Sequence, residues 1–154
     1  MKEILEIIEK NSRLSVEQIA AMAGKSVEEV EEAIKKFEED KIIVGYNTLI
    51  NWEKVDSEKV TALIEVKVTP QRGEGFDKVA ERIYRYPQVK ACYLMSGGFD
   101  LTVIVEGKTI KDVALFVAEK LAPLECVLST STHFVLKKYK DKDVIFDEEK
   151  KDDR

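Results

Sequence analysis

The chain has 154 residues, of which 44% are hydrophobic and 36% are charged, a composition typical of one ordinary or two small globular domains. No apolar run is long enough to span a bilayer, and the acidic, amphipathic start does not look like a signal peptide. We therefore expect a cytoplasmic protein with no membrane partner. The two cysteines, Cys92 and Cys126, lie in predicted strands without metal-ligand spacing, which predicts buried free thiols and no metal site. No cofactor is expected either.

The net charge of −5 falls entirely in the first part of the chain. Residues 1–56 hold 8 basic and 13 acidic residues, whereas the remainder holds 17 of each. A polyanion such as a nucleic acid therefore meets net repulsion from the first part of the chain.

Three short helices are predicted in residues 1–52. The first covers residues 2–10, Ser15 caps the second, Gly24 ends it, and Ser26 caps the third, which ends near Lys41. Two helices joined by a Gly-containing turn are typical of a helix-turn-helix, and the strand-like residues 42–52 would add a wing or a connector. Helix pairs of this type also occur in proteins that never touch DNA, so the pattern alone leaves DNA binding open.

A polar segment at residues 53–59 is interpreted as a linker to a second domain at residues 60–140. Hydrophobic periodicity there predicts strand, helix, strand, strand, helix and strand, at residues 60–69, 75–86, 89–95, 102–107, 109–123 and 124–138. The fold class is thus α+β: an N-terminal winged helix-turn-helix and a C-terminal ferredoxin-like βαββαβ domain with both helices on one sheet face. The charged tail, residues 141–154, is predicted to be frayed or disordered.

The second face of the predicted sheet has no covering element in the sequence. We expect its apolar side chains to come from Leu63, Cys92, Leu94 and Ile104. An uncovered apolar face predicts a homodimer in which two such sheets stack.

The turn Ser96-Gly97-Gly98-Phe99-Asp100 joins the two central strands, and its glycines permit positive φ and close approach of a ligand. Two interpretations of Asp100 stay open. Its carboxylate accepts backbone hydrogen bonds within a tight hairpin, or it binds the ammonium group of a ligand whose carboxylate meets the backbone N–H groups of the turn.

The helix-turn-helix followed by this domain resembles the Lrp/AsnC family of transcription regulators over roughly residues 2–140. The similarity is carried by the order and spacing of several stretches: Leu14–Ala20, Gly24–Ser26, Ile42–Tyr46, Asn51, Val89, Ser96–Leu101 and Thr130–Thr132.

The resemblance implies a dimer that assembles further, to a tetramer or an octamer. It also implies that an amino acid or similar small molecule binds between subunits near the glycine turn. The residues implicated by this resemblance are Ser96, Gly97, Gly98, Phe99, Asp100, Thr130 and Thr132.

The third helix departs from the family pattern, because members often place arginines in its middle, where this chain has Glu31-Glu32-Ala33. Carboxylates repel phosphates, so we expect weak DNA binding by a single head, with multivalency as compensation. The ordinary interpretation of these glutamates is a solvated face with Glu31–Lys35 and Glu32–Lys36 pairs. The candidate DNA contacts are Lys25, Ser26, Lys35 and Lys36.

Three functions follow from this sequence. The first is a ligand-responsive transcription regulator, and the second is a related oligomer whose acidic head binds proteins instead of DNA. The third is an enzyme, since some proteins with this layout act on modified tetrapyrroles. The sole histidine, His133, lacks an evident catalytic partner in the sequence, and no nucleophile or phosphate-binding motif occurs, which argues against an enzyme.

Overall fold

The computed structural model describes residues 1–70, 73 and 75–147, and the chain divides into two compact units, Met1–Ile50 and Asn51–Arg154. The first unit contains three helices: α1 (Lys2–Lys10), α2 (Val16–Ala23) and α3 (Val27–Glu39). The second unit begins with a 3₁₀ turn at Trp52–Lys54. Its further elements are β1 (Val60–Val68), α4 (Asp77–Tyr84), β2 (Val89–Leu94), β3 (Leu101–Gly107), α5 (Ile110–Phe116), β4 (Val127–Phe134), β5 (Lys140–Asp141) and β6 (Val144–Ile145).

The helix boundaries of the first unit follow from local signals in the sequence. The Ser15 Oγ accepts a hydrogen bond from the Gln18 N–H at 3.2 Å, and the Ser26 Oγ accepts one from the Glu29 N–H at 3.1 Å. Both predicted capping boxes are therefore confirmed, and Gly24 ends α2 in the left-handed conformation with φ of 64°. The helices enclose a small core formed by Ile4, Ile8, Ile19, Ala20, Val30, Ala33 and Phe37.

The segment after α3 differs from its prediction. Residues 42–50 contain no strand, although their composition is strand-like. The N–H groups of Ile42 and Ile43 instead donate to the carbonyl of Phe37, and the Tyr46 hydroxyl donates to Glu38 Oε1 at 2.7 Å. A strand needs a neighbouring strand to pair with, and the described residues of the first unit offer none.

The second unit is built on a four-stranded antiparallel sheet in the order β2-β3-β1-β4, which confirms the predicted βαββαβ arrangement. Both helices pack against the face formed by alternate residues of β1 and β3. The buried cluster comprises Ala62, Ile64, Val66, Val68, Val79, Ile83, Leu101, Val103, Val105, Val113, Phe116, Val117, Leu121 and Cys126.

The opposite sheet face carries different residues from those expected. Leu63 pairs with Ile104 on this face as predicted, but Cys92 is aligned with Val103 and Leu94 with Leu101, so both lie on the helix side. The prediction was wrong for these two residues because a bulge between Val89 and Ala91 inserts one residue into β2. An extra residue reverses the alternation of side chains beyond it.

As a result Ala91 and Tyr93 replace Cys92 and Leu94 on the helix-free face. They lie there beside Ile104 and Leu63, with Glu65 and His133 of the neighbouring strands on the same side. This face, called the open face below, is therefore a mixed polar and apolar surface. None of the described helices is long and apolar enough to cross a membrane.

The chain after β4 also differs from its prediction. Strands β5 and β6 pair in a small hairpin whose turn residues, Lys142 and Asp143, both have positive φ, at 45° and 68°. Two successive positive φ values are typical of the turns that match strand twist in hairpins. The tail was expected to be frayed, but its first part is folded; residues 148–154 lie outside the described residues.

Candidate functional site

The turn between β2 and β3 is closed by a hydrogen bond from the Met95 N–H to the Asp100 carbonyl at 2.7 Å. Gly97 has a φ of 149°, a conformation that favours glycine. Gly98 has neither a positive φ nor any neighbouring atom within 4 Å of where a Cβ would lie. The described part of this chain therefore explains Gly97 but gives no steric reason for Gly98.

Asp100 fastens this turn to the end of β1. Its N–H donates to the Val66 carbonyl at 3.0 Å, and its Oδ2 accepts a hydrogen bond from the Val68 N–H at 2.8 Å. The second bond joins residues 32 positions apart and is partly buried. A hydrogen bond from a backbone N–H to the carboxylate is what the structural interpretation of Asp100 predicts. The other carboxylate oxygen has no hydrogen-bond partner among the described residues, so one side chain is able to serve both roles.

The two threonines implicated with this turn lie on the far side of β1. Thr130 pairs with Val66 and Thr132 with Ile64, whereas β3 leads out of the turn on the other side of β1. The threonines are thus about 10 Å from the turn, the width of two strand spacings. Within one chain Ser96–Asp100 form a continuous segment, and strand β1 separates them from Thr130 and Thr132.

The helix-turn-helix surface is dominated by the exposed side of α3. The apolar side chains Val30, Ala33 and Phe37 are buried. The charged side chains of α3 are all exposed: Glu28, Glu29, Glu31, Glu32, Lys35, Lys36, Glu38 and Glu39. A surface with this excess of carboxylates repels a phosphate backbone at short range.

The four candidate DNA contacts differ in their burial and in the interactions that they already make within the chain. Ser26 is engaged as the cap of α3, and Lys25 is half-buried beside it. Lys35 pairs with Glu39 at 4.0 Å and not with Glu31, while Lys36 makes no ion pair with any residue that the structure describes. The expected Glu31–Lys35 and Glu32–Lys36 pairs are therefore absent from this part of the chain, and Lys36 is the most available cation of the set.

Two side chains on or beside α3 have shifted pKa values. The hydrogen bond from the Ser26 N–H lowers the pKa of the Glu29 carboxyl, because it stabilises the ionised form. The hydrogen bond to Glu38 raises the pKa of Tyr46, because the phenol must stay protonated to donate it.

His133 has partners that sequence inspection missed. Its Nε2 lies 3.3 Å from Ser131 Oγ and 3.6 Å from Glu65 Oε2, a carboxylate of the neighbouring strand. In a hydrolytic triad the acid and the nucleophile contact different ring nitrogens, whereas here both contact the same one. Cross-strand register, which the sequence does not state, brings these groups together. In the part of the chain that the structure covers, no group of three His, Cys, Asp or Glu side chains could hold a metal ion.

A second arrangement that the sequence did not reveal involves the predicted linker. The Lys59 ammonium lies 3.2 Å from Glu106 Oε2 and 4.3 Å from the centre of the Trp52 ring. The carboxylate and the ring both stabilise the cation. Because the two ionic partners are 47 residues apart in the sequence, no local pattern indicated this contact.

Comparison with protein families assigns both halves of the chain. The family of the Lrp/AsnC ligand binding domain matches residues 61–145, and a winged helix-turn-helix DNA-binding family matches residues 1–44. The uncharacterized HTH-type transcriptional regulator YugG of Bacillus subtilis (strain 168) is 55% identical over 146 residues, which cover 94% of this chain and 88% of that protein. The proline dehydrogenase transcriptional activator of Rhizobium radiobacter is 25% identical over 139 residues, covering 90% and 88%.

Solved structures share the same architecture. An AsnC family transcriptional regulator from Agrobacterium tumefaciens has a TM-score of 0.71 at 27% identity, covering 91% of this chain and 90% of that one. The complex of the transcriptional regulator NMB0573 with L-Met, from Neisseria meningitidis, has a TM-score of 0.71 at 22% identity, covering 90% and 89%. At that lower identity the second likeness concerns the fold alone.

Proposed function

Because the chain belongs to the Lrp/AsnC family of HTH-type transcriptional regulators, we propose that it changes transcription in response to a bound amino acid or similar small molecule. The observation that carries this proposal is the match of one chain to both a DNA-binding and a ligand-binding family, at residues 1–44 and 61–145. Its activity is then binding and not catalysis, and its place of action is the cytoplasm.

The effector site that we propose is the turn Ser96–Asp100, completed by Thr130 and Thr132 of a second copy. The free carboxylate oxygen of Asp100 suits an ammonium group, and the N–H groups of the glycine turn suit a carboxylate. The space around Gly98 supports this assignment, because neither its backbone conformation nor its surroundings within the described residues call for glycine. The related N. meningitidis fold was solved with L-Met, which supports an amino acid as the ligand class.

The proposed assembly is a homodimer formed through the open face, which associates further into a tetramer or an octamer. Support comes from Tyr93, which is 57% exposed, and from Leu63, Ala91 and Ile104 beside it on a face without a helix. Apolar groups of this kind gain free energy when a second copy removes them from water.

DNA binding is proposed to depend on this assembly. Lys25, Lys35, Lys36 and the backbone at Ser26 supply few positive groups per head, and the glutamates of α3 oppose them. Several linked heads raise the effective concentration of the second and later contacts, which compensates for weak individual heads.

The experiment is a fluorescence-anisotropy titration of labelled promoter DNA with the full chain. It is carried out at low and at physiological salt, with and without each common amino acid. We expect binding at low salt, a loss of affinity as salt rises, and a shift in affinity with one amino-acid class. Lys36→Gln should weaken binding, whereas Lys10→Gln, on α1, serves as the matched loss of charge.

Absence of DNA binding at low salt with every amino acid would contradict the proposal. The acidic exposed side of α3 favours the second candidate in that case, a head that binds a basic protein partner. Capture of such a partner by the wild-type chain, but not by Glu31→Lys/Glu32→Lys, would identify it.

A further inference from the structure

The open face contains a group of polar side chains that contact one another across two strands. His133 lies directly opposite Leu63, and Ser131 lies opposite Glu65, so all four side chains belong to this face. The His133 Nε2 atom is 3.6 Å from Glu65 Oε2 and 3.3 Å from Ser131 Oγ. The imidazole and the carboxylate are therefore close enough to form an ion pair whenever the imidazole is protonated.

This pair borders the apolar part of the open face. Leu63 is the cross-strand neighbour of His133 and precedes Glu65 by two positions on the same side of β1, while Ile104 lies opposite Leu63 on β3. Within the single chain His133 is 55% exposed and Glu65 is 37% exposed. Cross-strand neighbours on one face lie only about 5 Å apart. A second copy that covers Leu63 therefore also removes this pair from water.

Glu65 is the carboxylate that the open face offers to His133. Strand β4 is an edge strand, so no described strand lies on its other side. Lys67 follows Glu65 on the same face of β1, is exposed and makes no ion pair with any described residue. Tyr93 of β2 lies three strands away from β4. The other charged groups on or beside this face form pairs of their own: Lys59–Glu106 at 3.2 Å and Lys137–Asp147 at 3.3 Å.

The net charge of the pair depends on the protonation of His133. Histidine side chains change charge between about pH 5 and pH 8. When His133 is protonated the pair is neutral and each ion has a partner, whereas a neutral His133 leaves the full charge of Glu65. Removing an unpaired carboxylate from water costs more free energy than removing one that is paired and hydrogen-bonded. Covering the open face is therefore less costly when His133 is protonated.

We propose that His133 and Glu65 make self-association through the open face sensitive to pH, so that the dimer is favoured as pH falls from 8 to 5.5. This inference rests on the proposed homodimer and adds the condition under which it forms. Because weak heads bind DNA only when several are linked, the same change of pH also strengthens DNA binding.

The experiment is sedimentation velocity of the full chain over a range of concentrations at pH 5.5 and at pH 8, at constant ionic strength. It measures the dissociation constant of the dimer. We expect association to be at least about tenfold tighter at pH 5.5, the contribution of roughly one charge-assisted hydrogen bond. Equal dissociation constants at the two pH values, or tighter association at pH 8, overturn the proposal without any variant.

His133 is the only histidine of the chain, so one substitution assigns the effect. His133→Gln has no ionisable group at this position. Its association should match that of the wild-type chain at pH 8 and should not become tighter in acid. A pH dependence of the wild-type size in this variant would place the effect on another group and overturn the assignment.

Glu65→Gln gives a result that a merely structural role of the pair would not produce. Without the carboxylate, a neutral His133 leaves no net charge, whereas a protonated His133 has no anion beside it. Association of this variant should therefore be tighter at pH 8 than at pH 5.5, the reverse of the wild-type order. Retention of the wild-type order would contradict the pairing of the two side chains.

Lys67→Gln is the matched control, because it removes a charge from the same face and leaves the pair intact. It should change the dissociation constant by the same factor at both pH values, so that their ratio is kept. Loss of that ratio would show that Lys67, and not His133, determines how Glu65 is neutralised, and would overturn the proposal.

Leu63→Ala separates a failure of this inference from a failure of the proposed assembly. If this variant associates more weakly while the wild-type dimer is insensitive to pH, the open face is the interface and the pH proposal is wrong. If the wild-type chain stays monomeric at both pH values, the proposed assembly itself is contradicted.

Discussion

Ser26 and Asp100 perform the same task in the two units, since each accepts a hydrogen bond from a backbone N–H that would otherwise lack a partner. Ser26 receives it from a residue three positions away, whereas Asp100 receives it from one 32 positions away. The first unit is thus organised by contacts between near neighbours in sequence, and the second by contacts between distant strands. The first unit can therefore be understood from short stretches of sequence, whereas the second requires knowledge of how its strands pair.

Removing a buried side chain of the central strand should have the largest effect. Ile64 is fully buried in the second unit, and Ile64→Ala should cost about 2–5 kcal/mol of unfolding free energy, since the lost contacts leave a cavity. Denaturant unfolding followed by circular dichroism measures it. Leu63→Ala, on the open face, is the matched variant and should mainly weaken self-association; an equal loss of stability in both would contradict the assigned strand faces.

Substitution of Asp100 should separate its two roles. Asp100→Ala leaves the Val68 N–H without an acceptor and should cost about 1–3 kcal/mol. Asp100→Asn keeps an acceptor oxygen but loses the charge, so stability should largely return while binding of an amino-acid ammonium is lost. Thermal unfolding and calorimetric titration with the effector measure the two quantities. If Asp100→Asn retained full effector affinity, the carboxylate would be structural alone.

Loss of a local cap should have a smaller effect. Ser26→Ala removes the acceptor for the Glu29 N–H and should cost about 1 kcal/mol, as is usual for helix caps. Ser15→Ala is the equivalent change at α2 and should behave alike. Chemical denaturation of both variants, beside Asp100→Ala, tests whether the long-range contact matters more than the local ones.

The smallest effect concerns pH. The pKa of Glu29 lies below its ordinary value of 4.5 in the folded chain, so the unfolded chain binds protons more readily. The stabilisation is therefore fully present above pH 4.5 and is lost as pH falls through the folded pKa. Thermal unfolding between pH 6 and pH 3 should show a shallower decline for Glu29→Gln than for Glu28→Gln, which lies on the same turn without a capping bond. Identical declines would contradict the assignment.

Features of the fold that depend on contacts between near neighbours in sequence could be predicted, whereas those that depend on contacts between distant strands could not. The sequence signals for helices and strands are local: serine N-caps, glycines that end helices, and apolar periodicity each involve only a few residues. The three helices of the first unit and the order of elements in the second could therefore be recognised from the sequence. The strand expected at residues 42–52 was wrong because composition reports a propensity but not a partner. The faces of Cys92 and Leu94 were wrong because no local signal marked the bulge in β2.

The candidate site, like the fold, was predictable in its local features and not in its long-range contacts. The glycine turn was visible in the sequence, as was the ambiguity of Asp100, but its bond to Val68 was not. The contacts of Lys59 with Glu106 and Trp52, and of His133 with Glu65, depend on strand register. The turn of π-helix at Val117–Leu121, which directly follows α5, has no signature in the hydrophobic pattern that predicted this helix.

The bulge in β2 has a consequence for the chemistry of Cys92. By turning this residue toward the helices, the inserted residue places its sulfur among apolar groups, and burial raises the pKa of the thiol. Since the thiolate is the reactive form toward alkylating reagents and peroxides, this shift lowers the reactivity of Cys92 toward both. One extra amino acid in an edge strand thereby turns the thiol away from the open face and lowers its readiness to oxidise.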